Sequence, residues 1–469
     1  MQSAKIAPDM MKIDVRAPTK RALSALLRKH RVPGAQLAIH HHGATITSEV
    51  GELEFRTGRR VTRDAAFPIG SITKCFTATV AMILVADGDV DLDEPIGEYV
   101  PELDDLGAML SLRHLLSHTS GLADSSDSEE AATSTPRRYI AEYIRRKDLV
   151  LPPGVGFSYS NPGYILAGRL IETVTGMSWC EAVESILLRP LDIESAFVSL
   201  AGTRPSRRPL ATGHSVNISV GRTRPVRQSE APAIAPAGAL AASAADLVKL
   251  GLMHIGPGAP QLLPAADAAQ MRQAVSGADP FGLADGWGLG LAVYRQESGE
   301  WVGHDGNADG TSCYLRINPA GGWVIALTTN ANAGVGLWQD LQAELAQDGV
   351  PIDPPRIPAP GGRHAVPAPA PGCAGRYVNG DVEYEITAGS NGSIYMCVDG
   401  DNPVPLTVHD DLTFSLTDPN SGRRVFGGRF VRDPATGKVY GVQVGGRLAG
   451  KQVFGRTARW AGERLASAG

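Results

Sequence analysis

Ser71 stands three residues before Lys74 in the stretch Phe67-Pro68-Ile69-Gly70-Ser71-Ile72-Thr73-Lys74-Cys75-Phe76-Thr77-Ala78. A serine hydroxyl is a poor nucleophile until a neighbouring base takes its proton, and a desolvated lysine can be that base. If the stretch is helical the spacing supplies the contact, because residues three apart share a helix face. Phe76, Val80, Ile83 and Leu84 recur at helical spacing, which predicts a largely buried helix from Ser71 to about Asp87. Ser71 then sits in the first turn, where unpaired backbone N–H groups and the helix dipole favour developing negative charge. A serine that merely caps a helix beside a solvated lysine fits the same residues, so the pair alone decides nothing.

Two later segments add to it. Phe157-Ser158-Tyr159-Ser160-Asn161-Pro162-Gly163-Tyr164 holds a phenol and a carboxamide two residues apart. Read as extended chain, it turns Tyr159 and Asn161 toward one cavity. Asn161-Pro162-Gly163 reads as a turn, with a helix from Tyr164 to Thr175 behind it. Further on, His304-Asp305-Gly306-Asn307 ends a strand with an imidazole followed by a glycine.

The elements that must hold these residues follow from periodicity. Leu23, Leu26 and Leu27 mark a helix within Pro18–His30; Gln36–His41 and Thr45–Val50 read as a hairpin turning at Gly43. Helices are expected at Leu112–Leu116 and Trp179–Leu188, and another is capped by Ser243. From Gly286 the pattern is of strands, at Trp287–Tyr294, Trp301–His304, Thr311–Asn318 and Gly322–Thr329, closed by a helix over Leu337–Leu345. The fold class is therefore α/β in the α+β sense, with helices beside an antiparallel sheet whose strands come from both ends of a catalytic domain, residues 1–350. Polar Ala123–Pro136 reads as an exposed, lid-like loop. Arg204, Arg207, Arg208, Arg222, Arg224 and Arg227 crowd the Pro-rich stretch Thr203–Ala235, which reads as a solvated loop. Residues 351–372 form a Pro-rich linker. In residues 373–469, Tyr377, Tyr384, Tyr395, Phe414, Phe426, Val439 and Val442 alternate with turns such as Asn379-Gly380 and Asn391-Gly392. About eight strands there predict a small up-and-down, lipocalin-like β-barrel.

Composition narrows the function. Hydrophobic content of 43% and charged content of 20% describe a globular protein. A net charge of -5 without a long basic run argues against nucleic acid or an anionic membrane as partner. Met1–Arg16 lacks the pattern of a secretory signal, and the apolar run Cys75–Ala86 is short for a bilayer. The five cysteines are scattered, without metal or disulfide spacing, which fits a cytoplasmic location. Of His40, His41 and His42 only two can share a strand face, and the acids of Asp87–Asp93 miss the spacing of a calcium loop. No metal or cofactor is called for.

In order and spacing, Ser71-x-x-Lys74, Tyr159-x-Asn161 and His304-x-Gly306 resemble the serine β-lactamase/penicillin-binding-protein superfamily, in the branch of class C enzymes, D-aminopeptidases and family VIII esterases. Leu115-Leu116-Ser117-His118-Thr119-Ser120-Gly121-Leu122 resembles a recurring segment of that branch, and the match runs from about residue 20 to 345. The resemblance implies Ser71 as the acylated nucleophile, Lys74 as a base made neutral by burial, Tyr159 as proton relay and His304 as the fourth catalytic residue. His304 replaces the lysine that grips a β-lactam carboxylate, so efficient β-lactam hydrolysis is not expected. Asn161, Gly306, Asn307, Gly238 and Arg447 are the expected substrate contacts, with the oxyanion held between the N–H groups of Ser71 and Asn307. Arg447 stands on the glycine-flanked hairpin Val444-Gly445-Gly446-Arg447, expected to reach the cleft from the barrel.

A catalytic domain, a Pro-rich connection and one barrel most resemble the penicillin-binding-protein-type thioesterases. The resemblance implies a trans-acting enzyme that takes a peptidyl thioester from a peptidyl carrier domain of a nonribosomal peptide synthetase. It would release the peptide as a head-to-tail macrolactam acylated through a D-residue. A cytoplasmic D-stereospecific peptidase or family VIII-type esterase is the alternative. A non-catalytic peptide-binding sensor fits less well, since a sensor has no need of serine, lysine and tyrosine together.

Overall fold

The computed structural model describes residues 16–124, 133–145, 149–198, 206–228, 231–353, 372–389, 393–417, 424–433, 435–453 and 456–457. Most of the linker, the middle of the loop Ala123–Pro136, parts of Thr203–Ala235 and the turn at Asn391-Gly392 lie outside them.

Seven antiparallel strands make one sheet, in the order Ala44–Gly51, Gly34–His41, Trp323–Thr329, Thr311–Asn318, Gly299–Ala308, Ala292–Gln296, Gly286–Trp287. Strands from the two ends of this domain pair within it, Ile39 opposite Ile325. The strands Thr311–Asn318 and Trp323–Thr329 are buried along their whole length, so both faces must be covered. Helices Arg16–His30 and Gly334–Gln347 cover one face through Leu23, Leu27, Leu337 and Leu341. The other face carries the larger core, built on helices Thr73–Asp87, Asn161–Thr175 and Ala244–Leu252.

The helix that was expected from Ser71 begins as a 3-10 turn, Gly70–Ile72, and continues as α-helix Thr73–Asp87. Gly88 stops it, with φ of 82° and its N–H returned to Leu84 O, a conformation that costs glycine nothing. By length and composition Gly70–Asp87 could cross a membrane, but 78% of that span is buried inside the protein. It is the central helix of the core.

Three expected elements differ in detail. The strand foreseen over Trp287–Tyr294 is broken into Gly286–Trp287 and Ala292–Gln296, because Gly288 N–H bonds Leu291 O at 2.8 Å and Gly290 takes φ +82°. The helix after Trp179 is one α-turn, Trp179–Ala182, running into a π-turn, Val183–Leu188. Asn161-Pro162-Gly163 is no turn before a helix. It is the first turn of helix Asn161–Thr175, with Ser160 Oγ accepting from Gly163 N–H and proline where its missing N–H is harmless.

Beyond the linker, eight strands from Gly375–Asn379 to Arg447–Val453 pair in sequence order. Tyr377 and Val378 meet Lys451 and Gly450 and close the barrel, around Tyr377, Phe414, Phe430, Val442 and Ala449. The barrel docks on the first domain through backbone and side chain alike. Tyr159 N–H donates to Gly446 O at 3.0 Å, Leu448 N–H to Ser158 Oγ at 3.2 Å, and Asp124 N–H to Asn379 Oδ1 at 2.7 Å. Arg429 adds an ion pair to Asp279 at 2.9 Å.

Candidate active site

Ser71 lies at the mouth of the 3-10 turn, half-buried, while Lys74 one turn on is wholly buried. Lys74 Nζ donates to Ser71 Oγ at 3.1 Å and to Ala237 O at 2.9 Å. Nζ also stands 5.1 Å from the ring centre of Tyr159 and 5.5 Å from that of Tyr164. A hydroxyl held this way by a buried amine can be deprotonated without bulk water. Cys75, beside the pair, is buried, and burial pushes its thiol up to about 12; it packs as a small apolar residue.

Tyr159 comes to the same hydroxyl from the segment before helix Asn161–Thr175. Burial drives its phenol upward, opposed by a hydrogen bond with Ser71 and by the charge of Arg447. Beneath it lies His118, stacked at 4.2 Å and wholly buried. Its Nδ1 accepts from Ser160 N–H at 3.1 Å, so a neutral ring carries its proton on Nε2. Burial first, then the neighbouring Lys74 and Arg447, hold this imidazole well below its ordinary pKa.

His304 closes the site from strand Gly299–Ala308, edge-on to Trp287 at 5.2 Å and 6.2 Å from the ring of Tyr159. Its Nδ1 lies 2.5 Å from Asp305 O, and a carbonyl can only accept, so Nδ1 is the protonated nitrogen. Burial, with Lys74 nearby, lowers its pKa to about 3. His304 is thus a neutral acceptor at pH 7. A lysine there would be a cation, and this is the physical reason that an anionic β-lactam carboxylate finds no charge partner in His304.

Two glycines set the distance between the nucleophile and the strand. A Cβ on Gly306 would stand 1.9 Å from Ile69 O, and one on Gly70 2.3 Å from Asn307 O. Gly70 also needs its φ of +51°. This contact lays the backbone of Ser71 beside exposed Asn307, where two N–H groups can serve one oxyanion. Asn161 reaches the site from the helix start, its Nδ2 at 3.5 Å from Asp124 Oδ1. Asp124 in turn is ion-paired with Arg447, whose guanidinium lies 5.1 Å over the Tyr159 ring.

The structure therefore brings Ser71, Lys74, Tyr159, Asn161, His304, Gly306, Asn307 and Arg447 to one cleft. Gly238 is placed otherwise: it is buried in the short helix Ala235–Gly238, and its neighbour Ala237 touches the site, through a carbonyl. Sequence reasoning passed over Ala237, Asp124 and the packing role of His118. A backbone acceptor leaves no mark in residue type. For His118 there was a signal, an imidazole next to Thr119-Ser120-Gly121, though nothing in its type tells stacking from chemistry. Among the described residues no group of three or more His, Cys, Asp or Glu side chains could hold a metal ion.

The fold and site together define a serine hydrolase. A family model described as Beta-lactamase matches residues 19–347, and the chain belongs to that family. It is 32% identical over 350 residues to penicillin-binding protein 4 of Amycolatopsis lactamdurans, covering 72% of this chain and 91% of that protein. The crystal structure of SurE superposes with a TM-score of 0.81 at 38% identity, over 93% of this chain and 98% of SurE; SurE has also been solved with D-Leu. D-amino acid amidase from Ochrobactrum anthropi SV3, complexed with D-phenylalanine, matches at a TM-score of 0.59 and 25% identity, over 71% of this chain and all of the amidase.

Proposed function

We propose that the protein is a trans-acting thioesterase that cyclises a nonribosomal peptide. It receives the peptidyl thioester from a peptidyl carrier domain, is acylated on Ser71 through a D-residue, and releases a head-to-tail lactam. The observation that carries this reading is the barrel hairpin at Gly446-Arg447, bonded to the backbone of Tyr159 at the nucleophile. In such an arrangement the second domain is a wall of the reaction site, which can exclude water and hold a second group. Likeness to SurE over both domains, and the D-Leu seen with SurE, support it.

In this reading Ser71 Oγ attacks the thioester carbonyl while Lys74 takes its proton, and the oxyanion rests on the N–H groups of Ser71 and Asn307. The C–S bond breaks as the proton passes, with Tyr159 as relay, to the departing thiolate. Lys74 and Tyr159 are then ready to accept a proton from the peptide's own amine, which attacks the ester. The C–O bond breaks, the amide forms, and the proton returns to Ser71. Positioning supplies effective molarities of roughly 10⁵ M or more, enough for a held amine to outrun water. Such an enzyme works in the cytoplasm, where synthetases assemble their peptides.

A second reading, a D-stereospecific amidase in which water resolves the ester, draws on the likeness to D-amino acid amidase. One experiment separates the two. A linear peptidyl thioester ending in a D-residue is supplied and the products are weighed by mass spectrometry, with the acyl adduct mapped. Cyclic product and an adduct on Ser71 are expected. Linear acid as the main product across several peptides, with good turnover of D-aminoacyl amides, favours the amidase. Acylation elsewhere than Ser71 overturns both.

A further inference from the structure

The arginine-rich stretch after residue 206 is not a plain solvated loop. Arg208 is buried and paired with Asp246 at 2.6 Å, but the rest builds a hairpin, His214–Asn217 against Arg222–Pro225. Its tip is apolar: Ile218 is 45% and Val220 70% exposed, an unusual position for two aliphatic side chains. Asn217 Oδ1 orders the tip by accepting from Val220 N–H at 3.2 Å and Ser219 Oγ at 2.7 Å. Arg222, Arg224 and Arg227 are all exposed beside it.

More cations gather at the root. Arg31, exposed, donates to Gly221 O at 2.6 Å. Phe55 N–H donates to His214 Nε2 at 3.1 Å and so draws the turn carrying exposed Arg56 and Arg60 alongside. Of the neighbouring acids, Glu54 is held by Arg59 at 2.9 Å and Asp340 by Lys29 at 2.6 Å. The patch is basic on a chain whose net charge is -5.

The root is clamped to the strand of the active site. His214 N–H donates to Gly310 O at 2.8 Å and Gln228 Nε2 to Asp309 O at 2.9 Å. Both acceptors lie within three residues of Asn307 on the chain. A Cβ on Gly213 would stand 2.1 Å from Asp309 O, so hairpin and strand edge meet backbone to backbone. Whatever docks on the arginines is held at the lip of the cleft, beside the oxyanion side.

We infer that this hairpin is the docking surface for the carrier domain, whose acidic face meets Arg222, Arg224 and Arg227 while Ile218 and Val220 pack against its apolar edge. The inference rests on the thioesterase reading. Charge complementarity selects the occupant: an acidic partner is drawn to a surface where exposed arginines crowd, and arginine flanking exposed aliphatics suits an interface.

The test uses the full chain and two substrates with the same D-residue-ended peptide, one loaded on an acidic peptidyl carrier domain, the other a small N-acetylcysteamine thioester. In R222E/R224E/R227E, KM for the loaded carrier rises at least tenfold with kcat unchanged, and kinetics on the small thioester stay as in wild type. The variant in which the three become lysine keeps most of the carrier affinity. Raising salt weakens the wild type on the carrier and leaves the glutamate variant nearly indifferent. An unchanged KM for the loaded carrier, or wild-type preference for the small thioester, overturns the docking surface while leaving the thioesterase reading intact. Failure of wild type on both substrates overturns that reading and the docking surface with it.

Discussion

Arg447, from the last hairpin of the closed barrel, holds its guanidinium 5.1 Å over the ring of Tyr159, the same distance at which Lys74 Nζ approaches that ring. Two domains thus each place a basic side chain against one phenol. The charge of Arg447 opposes the upward push of burial on Tyr159, and Asp124 holds the guanidinium in place by an ion pair. This pair sits in a partly solvated cleft, with the arginine side chain 30% exposed, so its value lies in position more than in Coulomb energy.

Arg447→Ala is accordingly expected to lower kcat/KM by about 10- to 100-fold, in the range of a lost charge-assisted contact at a reacting group. Arg447→Lys should recover part of it, because the charge survives and the planar fork does not. Arg447→Gln, which keeps polar bulk and removes the charge, should lose nearly as much as Arg447→Ala. Steady-state kinetics measure all three. Unchanged rates in Arg447→Ala would mean that the hairpin only seals the domains together.

Much of this arrangement was readable beforehand, and the failures have physical causes. The helix after Ser71 and the strands from Thr311 to Thr329 are buried all round, and their apolar runs bounded by turn residues mark them in the sequence to within a few residues. The barrel was legible because its turns are marked and its aromatic residues recur. Asn161-Pro162-Gly163 carries a turn signal in the sequence, yet in the fold the same three residues start a helix, where Ser160 caps them. The hairpin at His214 leaves little mark in the sequence because each of its strands is four residues long; its place is held by Asn330, Asn332 and Gly310. Contacts between Asp124 and Arg447 span more than 300 residues of chain, and no local pattern reports them.

Burial of neutral imidazoles makes stability depend on pH. Burial lowers His304 to about 3 and His254 to about 4, and lowers His118 as well. Each is free to protonate near pH 6.5 in the unfolded chain. As pH falls from 6.5 toward 3, the unfolded state binds protons that the native state refuses, so stability falls with pH across that window and is constant above it as far as these groups go. Thermal melts should show Tm declining from pH 7 to pH 4. His254→Gln, remote from Ser71, should flatten the decline and leave activity at pH 7 untouched. A Tm as steep in that variant as in wild type would place the acid sensitivity elsewhere.

The close approach of Gly306 to Ile69 decides how the nucleophile meets the strand. A Cβ at 1.9 Å from Ile69 O cannot be accommodated, and a carbonyl of the backbone has no rotamer by which to yield. Either the strand edge or the loop before Ser71 must move, which costs about 1–3 kcal/mol or more of stability. Movement there separates the Ser71 and Asn307 N–H groups, and losing one oxyanion donor typically lowers kcat by about 10²–10³. Gly306→Ala is therefore expected to fold with a lower Tm and to lose at least about 100-fold in kcat, with KM changed far less. Acylation should slow together with turnover, since both steps pass through an oxyanion. Pre-steady-state mass spectrometry of the Ser71 adduct separates the two rates. A variant that folds, melts lower and still acylates at the wild-type rate would show that the contact serves packing and that the oxyanion rests on other donors.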